Sequence, residues 1–220
     1  MTTLEQKGYI ELNKINDKFQ LGLSIFYLSQ AFIQHAKYLH QAMPIIKEMS
    51  ERCNESCYVA FMQDWHSVYL NGLETRQMVR VVSRQGSRLP VHCTAAGKVI
   101  LAFVADGLLD SFLAKHELFG FTERTITDPA KLKEHLKHIR QQGYAVNDEE
   151  LETAVRGIAA PVFNHTGNVI AALVISGPGF RLTDERIASE LADVVRSAAR
   201  KLSRRLGFLP LPENAEGVAS

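Results

Sequence analysis

The clearest pattern of apolar positions lies between residues 155 and 177. Two β-rich runs, VRGIAAPVF and NVIAALVISG, are joined by the segment NHTG. A connection that contains Asn and Gly between two such runs predicts a β-hairpin. Alternate residues of a strand share a face, and both faces of this hairpin are mostly uncharged. We therefore expect helices or loops to cover the sheet on both sides.

One face of this hairpin carries small side chains. Strand alternation places Gly157, Ala159, Ala172 and Ser176 on that face. Side chains of this size either admit a closely packed helix or leave room for a ligand. The pattern alone leaves both alternatives open, although apolar periodicity usually indicates core packing.

Further β-rich and helical segments complete the predicted architecture. Strands are predicted at residues 9–12, 19–21, 56–63, 67–72 and 78–83. Helical patterns cover residues 23–34, 38–53, 95–105, 106–116, 128–142 and 183–206. Because strands and helices are grouped rather than alternating, the fold class is α+β with an antiparallel sheet.

Composition narrows the class of protein. The 220 residues are 46% hydrophobic, which is enough for one sizeable domain or a domain with a fragment. A formal net charge of +1 excludes a broadly basic surface, so any contact with nucleic acid must come from a local element. Three cysteines form no disulfide framework and suit a reducing cytoplasm. We expect no membrane segment and a disordered tail over residues 209–220.

The start of the helix at Ala95 is a candidate anion site. Thr94 is a suitable N-cap, and Ala95, Ala96 and Gly97 would let a ligand approach the backbone. Unpaired N–H groups and the positive end of the helix dipole favour a carboxylate there. Every helix has such an end, so an ordinary helix start is the competing interpretation.

The sequence contains no clear metal-binding or catalytic motif. Two histidines, His135 and His138, are three residues apart and lack the spacing of a zinc protease, so a solvated helix face is expected. The acidic run at 148–150 is interpreted as an exposed loop or helix start. No glycine-rich phosphate loop and no nucleophile elbow are present, and we predict no cofactor. Four residues lack the spacing of a zinc motif: Cys53, Cys57, His92 and Cys93.

Three long segments resemble the effector-binding domain of IclR-family transcriptional regulators: LPVHCTAAGKVILAF, GYAVNDEELETAVRGIAAPVFNHTGNVIAALVISGP and RLTDERIASELADVVRSAARKLSRRLG. The resemblance implies a GAF-like α+β domain over residues 37–208, in which helices flank a curved antiparallel sheet. It also implies a linker helix over residues 22–36. Family members bind small organic acids or aromatics and form dimers or tetramers, so we expect a homodimer or homotetramer.

The first 21 residues resemble the end of that family's winged helix-turn-helix domain. The last turns of a recognition helix would be followed by the wing, and Lys7, Lys14 and Lys18 would be candidates for weak phosphate contacts. A recognition helix reads the major groove through its N-terminal residues. We therefore expect specific DNA binding only through the complete domain and negligible specific affinity for this chain.

The resemblance also implies effector-binding positions. Backbone N–H groups of Ala95 and Ala96 would hold the acid. Four further positions carry Asp, Cys and two Ser in family members that bind small keto acids, and three of these four differ here. The resulting pocket would be larger and less polar. It would suit a bulkier carboxylate, either an aromatic acid or a sugar acid. The four positions are Asn147, Gly157, Val174 and Ser176, and the apolar wall is Met78, Val81, Leu89 and Val155.

The expected function is therefore that of a cytoplasmic ligand-sensing domain, whose organic-acid effector modulates operator binding by the intact regulator. We do not expect an enzyme. The alternatives are an enzyme that acts on a small organic acid and a structural oligomerisation module in which a helix fills the small-residue face.

Overall fold

The computed structural model describes residues 2–35, 37–82 and 86–209. The described residues form two compact units, which divide between Gln41 and Ala42. The boundary between the units falls within one helix. Apart from Leu209, the predicted tail lies outside the described residues. The boundaries expected near residues 22 and 37 stay predictions.

The first unit contains a helix, a two-stranded hairpin and a longer helix. Gly8 ends the first helix with a positive φ of 69°, and the strands pair antiparallel with Ile10 opposite Leu21. This order confirms the predicted secondary structure of the opening segment. The elements are α1 (Thr2–Gln6), β1 (Ile10–Asn13), β2 (Lys18–Leu21), α2 (Leu23–His35) and the first residues of α3 (Lys37–Cys53).

The second unit is built on a six-stranded curved antiparallel sheet, as predicted. The strand order is β5-β4-β3-β8-β7-β6, so the hairpin of β7 and β8 lies next to β3 in the middle of the sheet. The strands are β3 (Ser56–Gln63), β4 (His66–Leu73), β5 (Arg88–Pro90), β6 (Ala145–Asp148), β7 (Val155–Phe163) and β8 (Val169–Pro178).

Helices cover both faces of this sheet. Their starts follow the sequence signals: Thr94 accepts from Gly97 N, and Asp128 accepts from Lys131 N. Gly143, with φ of 76°, ends the helix that Asp128 begins. No helix in the described ranges is long and apolar enough to cross a membrane. The helices are α4 (Ala95–Phe103), α5 (Asp106–Lys115), α6 (Pro129–Gln142), α7 (Asp184–Arg186) and α8 (Ala192–Arg205), with a π-helical turn (Ile187–Leu191) between α7 and α8.

The two faces of the hairpin pack against different helices. Ala159 and Val174 belong to the apolar core that contains α4. The alternate residues Ile158, Leu173 and Ile175 are fully buried on the opposite face, and α8 packs against β7 and β8. The prediction of a sheet covered on both sides is confirmed.

Two sequence predictions need correction here. The strand predicted at 78–83 is absent over its described part, residues 78–82. Its place beside β4 is occupied by β5, which pairs His66 with Pro90 and Val68 with Arg88. The four-residue strand β6 was not predicted from the sequence, because its Asn147 and Asp148 are residue types that are rare in strands.

Candidate ligand-binding site

A row of directly paired residues crosses four strands of the sheet. Asn147 on β6 lies opposite Gly157 on β7, Gly157 lies opposite Ser176 on β8, and Ser176 lies opposite Ser56 on β3. The first three were predicted site residues. Sheet register therefore brings together residues that are distant in the sequence.

The N-terminus of α4 lies over this row. A Cβ atom built on Gly157 would lie 4.0 Å from the Cβ of Ala95 and 3.4 Å from Ser176 Oγ. A side chain at position 157 would thus point into the space between the helix start and the sheet. By the geometry of a helix start, the N–H groups of Ala95 and Ala96 have no acceptor within the helix.

Thr94 fixes the position of this helix start. Its Oγ1 accepts from Gly97 N at 3.1 Å and donates to Pro90 O at 3.0 Å. The Ser67 hydroxyl, 3.0 Å away, must then donate to the same oxygen. Three hydrogen bonds on one hydroxyl join α4 to β4 and β5 and hold the helix terminus against the sheet.

A cavity of ≈ 250 Å³ opens beside Thr94. Its polar side is formed by Thr94, Asn147 and Ser176, and its apolar side by valine and leucine side chains. The volume lies just below the ~300–1,000 Å³ typical of small-molecule sites. The full lining is Tyr69, Val81, Val82, Ser87, Leu89, Thr94, Asn147, Leu151, Glu152, Val155, Arg156 and Ser176.

The structure gathers most, but not all, of the predicted site residues. The ones that line the cavity are Val81, Leu89, Asn147, Val155 and Ser176. Ala95, Ala96 and Val174 are buried in the core next to it. Met78 is 94% exposed and is not among the lining residues, because the segment that carries it forms no strand beside β4.

The small-residue face serves both purposes considered from the sequence. Ala159 and Ala172 are completely buried in the core beneath α4, which is close helix packing. Ser176 borders the cavity, and Gly157 lies between Ser176 and Ala95. Along the strands, the residues beneath α4 are therefore packed, and those beyond its N-terminus border the cavity.

A buried ion pair between Lys98 and Glu150 lies next to the site. Lys98 of α4 is fully buried, and its ammonium contacts the carboxylate of Glu150 and donates to Val146 O at 2.7 Å. Burial lowers the pKa of Lys98, and the charge of Glu150 opposes that shift. Glu150 N in turn donates to Asn147 Oδ1 at 2.9 Å. The ion pair thereby connects the body of α4 to a residue that lines the cavity.

This pair corrects the interpretation of the acidic run as exposed. Glu150 is only 5% exposed, and Asp148 is the last residue of β6. The signal in the sequence was Lys98 itself, the one charged residue of the otherwise apolar helix segment AAGKVILAF. A buried lysine requires a partner, and a carboxylate from the acidic run supplies it.

His135 also departs from its predicted solvated position. Its Nε2 lies 3.2 Å from Lys98 Nζ. Burial and then the charge of Lys98 lower the pKa of His135 to about 4. The interpretation of this helix face as fully solvated was wrong for His135, whereas the His138 side chain is 65% exposed.

Arg156 brings a positive charge to the cavity, where two aspartates balance it. The guanidinium donates to Leu182 O at 2.6 Å and to Asp184 at 2.5 Å, and it forms an ion pair with Asp148. The hydrogen bond from Arg156 lowers the pKa of Asp184. Arg156 was not predicted to line the cavity, because strand alternation places it on the opposite face from Gly157.

The cysteines and His92 do not assemble into a metal site. Across the described ranges, no three His, Cys, Asp or Glu side chains are grouped as metal ligands. Cys53 and Cys57 lie next to each other, with 3.6 Å between sulfurs, while His92 Nε2 lies 2.9 Å from Phe119 O. Burial raises the pKa of Cys93 to about 12, so its thiol stays protonated.

Known proteins are similar to this chain in sequence. The family model described as bacterial transcriptional regulator IclR C-terminal matches residues 30–204. The HTH-type transcriptional regulator XynR of Escherichia coli (strain K12) is 33% identical over 208 residues, which cover 94% of this chain and 82% of XynR.

Solved structures agree with the sequence matches. Thermotoga maritima IclR has a TM-score of 0.81 at 32% identity, with 94% of this chain and 83% of that chain covered. An IclR homolog from Microbacterium hydrocarbonoxydans, complexed with 4-hydroxybenzoate, has a TM-score of 0.76 at 25% identity. That comparison covers 93% of this chain and 82% of the homolog.

Proposed function

Since this chain belongs to the IclR family of transcriptional regulators, and carries its effector-binding domain, we propose that the cavity beside Thr94 binds the effector. The effector is a small organic carboxylate that is bulkier than glyoxylate or pyruvate. Its binding modulates operator binding by the intact regulator.

The observation that carries this proposal is the meeting of Asn147, Gly157 and Ser176 with the start of α4. A helix start offers backbone N–H groups and the positive end of a dipole to a carboxylate. The hydroxyl of Ser176 and the amide of Asn147 add neutral hydrogen-bonding groups. A carboxylate bound here would lie against Ala95 and Ala96.

The apolar wall favours a ligand with a ring or a longer carbon skeleton. Val81, Leu89 and Val155 face the same cavity as Thr94 and Ser176. Glycine at 157 and valine at 174 leave fewer polar groups than the small-keto-acid pattern has. An aromatic acid fits this lining, and the bound 4-hydroxybenzoate of the Microbacterium homolog belongs to that chemical class. A sugar acid is the other class to be tested.

The absence of turnover is part of the proposal. The related proteins are transcriptional regulators. Cys93, which precedes Thr94 in the chain, has its pKa raised to about 12 by burial, which removes the thiolate that a nucleophile requires. We expect the bound acid to be recovered unchanged.

Family membership also supports a proposal about DNA binding, oligomeric state and the linker helix. In the intact protein, DNA is bound by the complete winged helix-turn-helix domain, and Lys7, Lys14 and Lys18 make only phosphate contacts. All three lysines are exposed. We propose a cytoplasmic homodimer or homotetramer, with α2 as the linker helix.

Calorimetric titration with a panel of acids tests this proposal. The panel contains glyoxylate, pyruvate, benzoate, 4-hydroxybenzoate and galacturonate. We expect saturable binding of an aromatic or sugar acid and weaker binding of the two keto acids. Binding of the keto acids alone would overturn the proposed ligand class, and no binding of any carboxylate would count against the cavity as an acid site.

A further inference from the structure

A second cavity lies at the opposite end of β7 from the candidate effector site. β6 begins at Ala145, opposite Ala159, so the remainder of β7 has no strand beyond it on that side. Pro161 lies in this open edge, where its missing N–H costs no strand pairing. Here a cavity of ≈ 260 Å³, open to solvent on one side, is bordered by β7, α8 and the C-terminal ends of α4 and α6.

The walls of this cavity are aromatic. Phe103 meets Phe163 edge to face, with 5.2 Å between ring centroids. Phe163 is stacked on Phe208, with 5.0 Å between centroids. Ala160 and Pro161 add aliphatic surface. An apolar or aromatic body would find stacking partners on these walls.

The helix side of the cavity is cationic. Arg196, Arg200 and Arg204 follow one another at intervals of four residues, so they share one face of α8. The side chains of Arg200 and Arg204 form no hydrogen bond or ion pair within the part of the chain that the structure describes. Like charges at this spacing repel each other. An anion between them would offset that repulsion.

Arg196 contributes a second, independent sign of a missing partner. Its terminal nitrogens donate to Gln142 O at 3.3 Å and to Asp193 at 2.5 Å. Its Nε is buried, yet it has no acceptor among the described residues. No aspartate or glutamate is found among the residues that line this cavity. Asp193 pairs with Arg196, but no carboxylate from the cavity lining pairs with Arg200 or Arg204.

We propose that this aromatic-arginine cavity, lined by the three phenylalanines and three arginines, binds a second ligand, an organic anion with an aromatic body and a carboxylate. A guanidinium binds a carboxylate through two parallel hydrogen bonds. The ring of the ligand packs against Phe103, Phe163 and Phe208. The cavity shares no lining residue with the candidate effector site, so the two proposals stand or fall separately.

Lys201 provides a matched control on the same helix. Its ammonium pairs with Glu48 at 2.5 Å and does not line the aromatic-arginine cavity. Replacing Lys201 by Gln removes one positive charge from α8, half of what the double variant Arg200→Gln/Arg204→Gln removes. Effects of net charge and effects of the cavity are thereby distinguished.

The experiment is a calorimetric titration of the full chain with 2-naphthoate. We expect saturable binding that weakens at least tenfold in Arg200→Gln/Arg204→Gln and is unchanged in Lys201→Gln. The neutral analogue 2-naphthalenemethanol should bind at least tenfold more weakly than 2-naphthoate. Both arginines are exposed, and circular dichroism checks that the double variant is folded.

Other outcomes would overturn this second site. These are an absence of saturable binding, or equal affinity in the double arginine variant and the wild type. Weakening of 2-naphthoate binding by about fivefold in Leu89→Ala, with the arginine variant unaffected, would assign the ligand to the candidate effector cavity instead. That result would leave the proposed effector function intact.

Discussion

Lys98 and Glu150 form an ion pair inside the protein, with the ammonium fully buried and the glutamate 5% exposed. One partner lies on α4, and the other follows β6, 52 residues further along the chain. Because Glu150 also donates its N–H to Asn147, the pair joins the helix above the candidate site to the strand beneath it. The stability of the fold and the shape of the site therefore depend on the same contact.

Replacing Lys98 by Met should destabilise the protein by about 3–5 kcal/mol, because it leaves a buried carboxylate without its partner. Urea unfolding measures the loss. The double variant Lys98→Met/Glu150→Gln should recover part of it. Lys133→Met is the matched control, since Lys133 pairs with Asp110 at the surface, and it should cost less than about 1 kcal/mol. Equal losses for the two lysines would contradict the role given to the buried pair.

His135 should make stability depend on pH. Its pKa in the fold is about 4, below the ordinary value of 6.5, because the half-buried ring is partly desolvated and lies beside the charge of Lys98. The unfolded chain takes up this proton first, so the contribution is present above pH 6.5 and is lost as pH falls towards 4. Unfolding free energies measured across this window should fall less steeply in His135→Asn than in the wild type. His138→Asn, one turn away and exposed, should keep the wild-type slope; the reverse order would refute this assignment.

Gly97 should be irreplaceable at the start of α4. A Cβ atom there would lie 2.2 Å from Val91 O and 2.3 Å from Val91 Cα, and both are backbone atoms. We expect Gly97→Ala to cost at least about 2 kcal/mol in thermal or urea unfolding. Gly107→Ala in α5 meets nothing within 4 Å and should leave stability unchanged or raise it by up to about 1 kcal/mol. Tolerance of alanine at 97 would mean that α4 lies further from Val91.

The family resemblance placed both Leu89 and Met78 at the effector site, but the structure places only Leu89 in the cavity. Leu89 lines the cavity, whereas Met78 is 94% exposed. For the acid that binds best, Leu89→Ala should weaken binding about fivefold, which corresponds to about 1 kcal/mol of lost apolar contact. Met78→Ala should leave the affinity unchanged. Calorimetry on both variants decides, and a larger effect at Met78 would show that its segment folds over the ligand.

Local signals predicted much of this fold. The hairpin of β7 and β8 follows from two apolar runs around an Asn- and Gly-containing turn. The helix starts at Thr94 and Asp128 follow from side chains that cap the backbone. In these elements, neighbouring residues decide the structure, so a pattern in the sequence is sufficient. The α+β class and the covered sheet follow from the same patterns.

Long-range partners set the parts that the sequence did not predict. The valine-rich segment near Val81 has strand propensity, but β5 already pairs with β4. The acidic run is partly buried because Lys98 requires a carboxylate. Asn147, Gly157 and Ser176 were named as site residues through the family resemblance, and only the sheet register places them in one row. The effector itself stays a prediction.

The most direct test is a crystal structure of the protein grown with the acid that binds best in the calorimetric panel. We predict electron density for the acid in the cavity beside Thr94, with its carboxylate within hydrogen-bonding distance of Ala95 N and Ala96 N and its carbon skeleton against Leu89 and Val155. Density for the acid elsewhere, with this cavity occupied only by water, would contradict the proposed function.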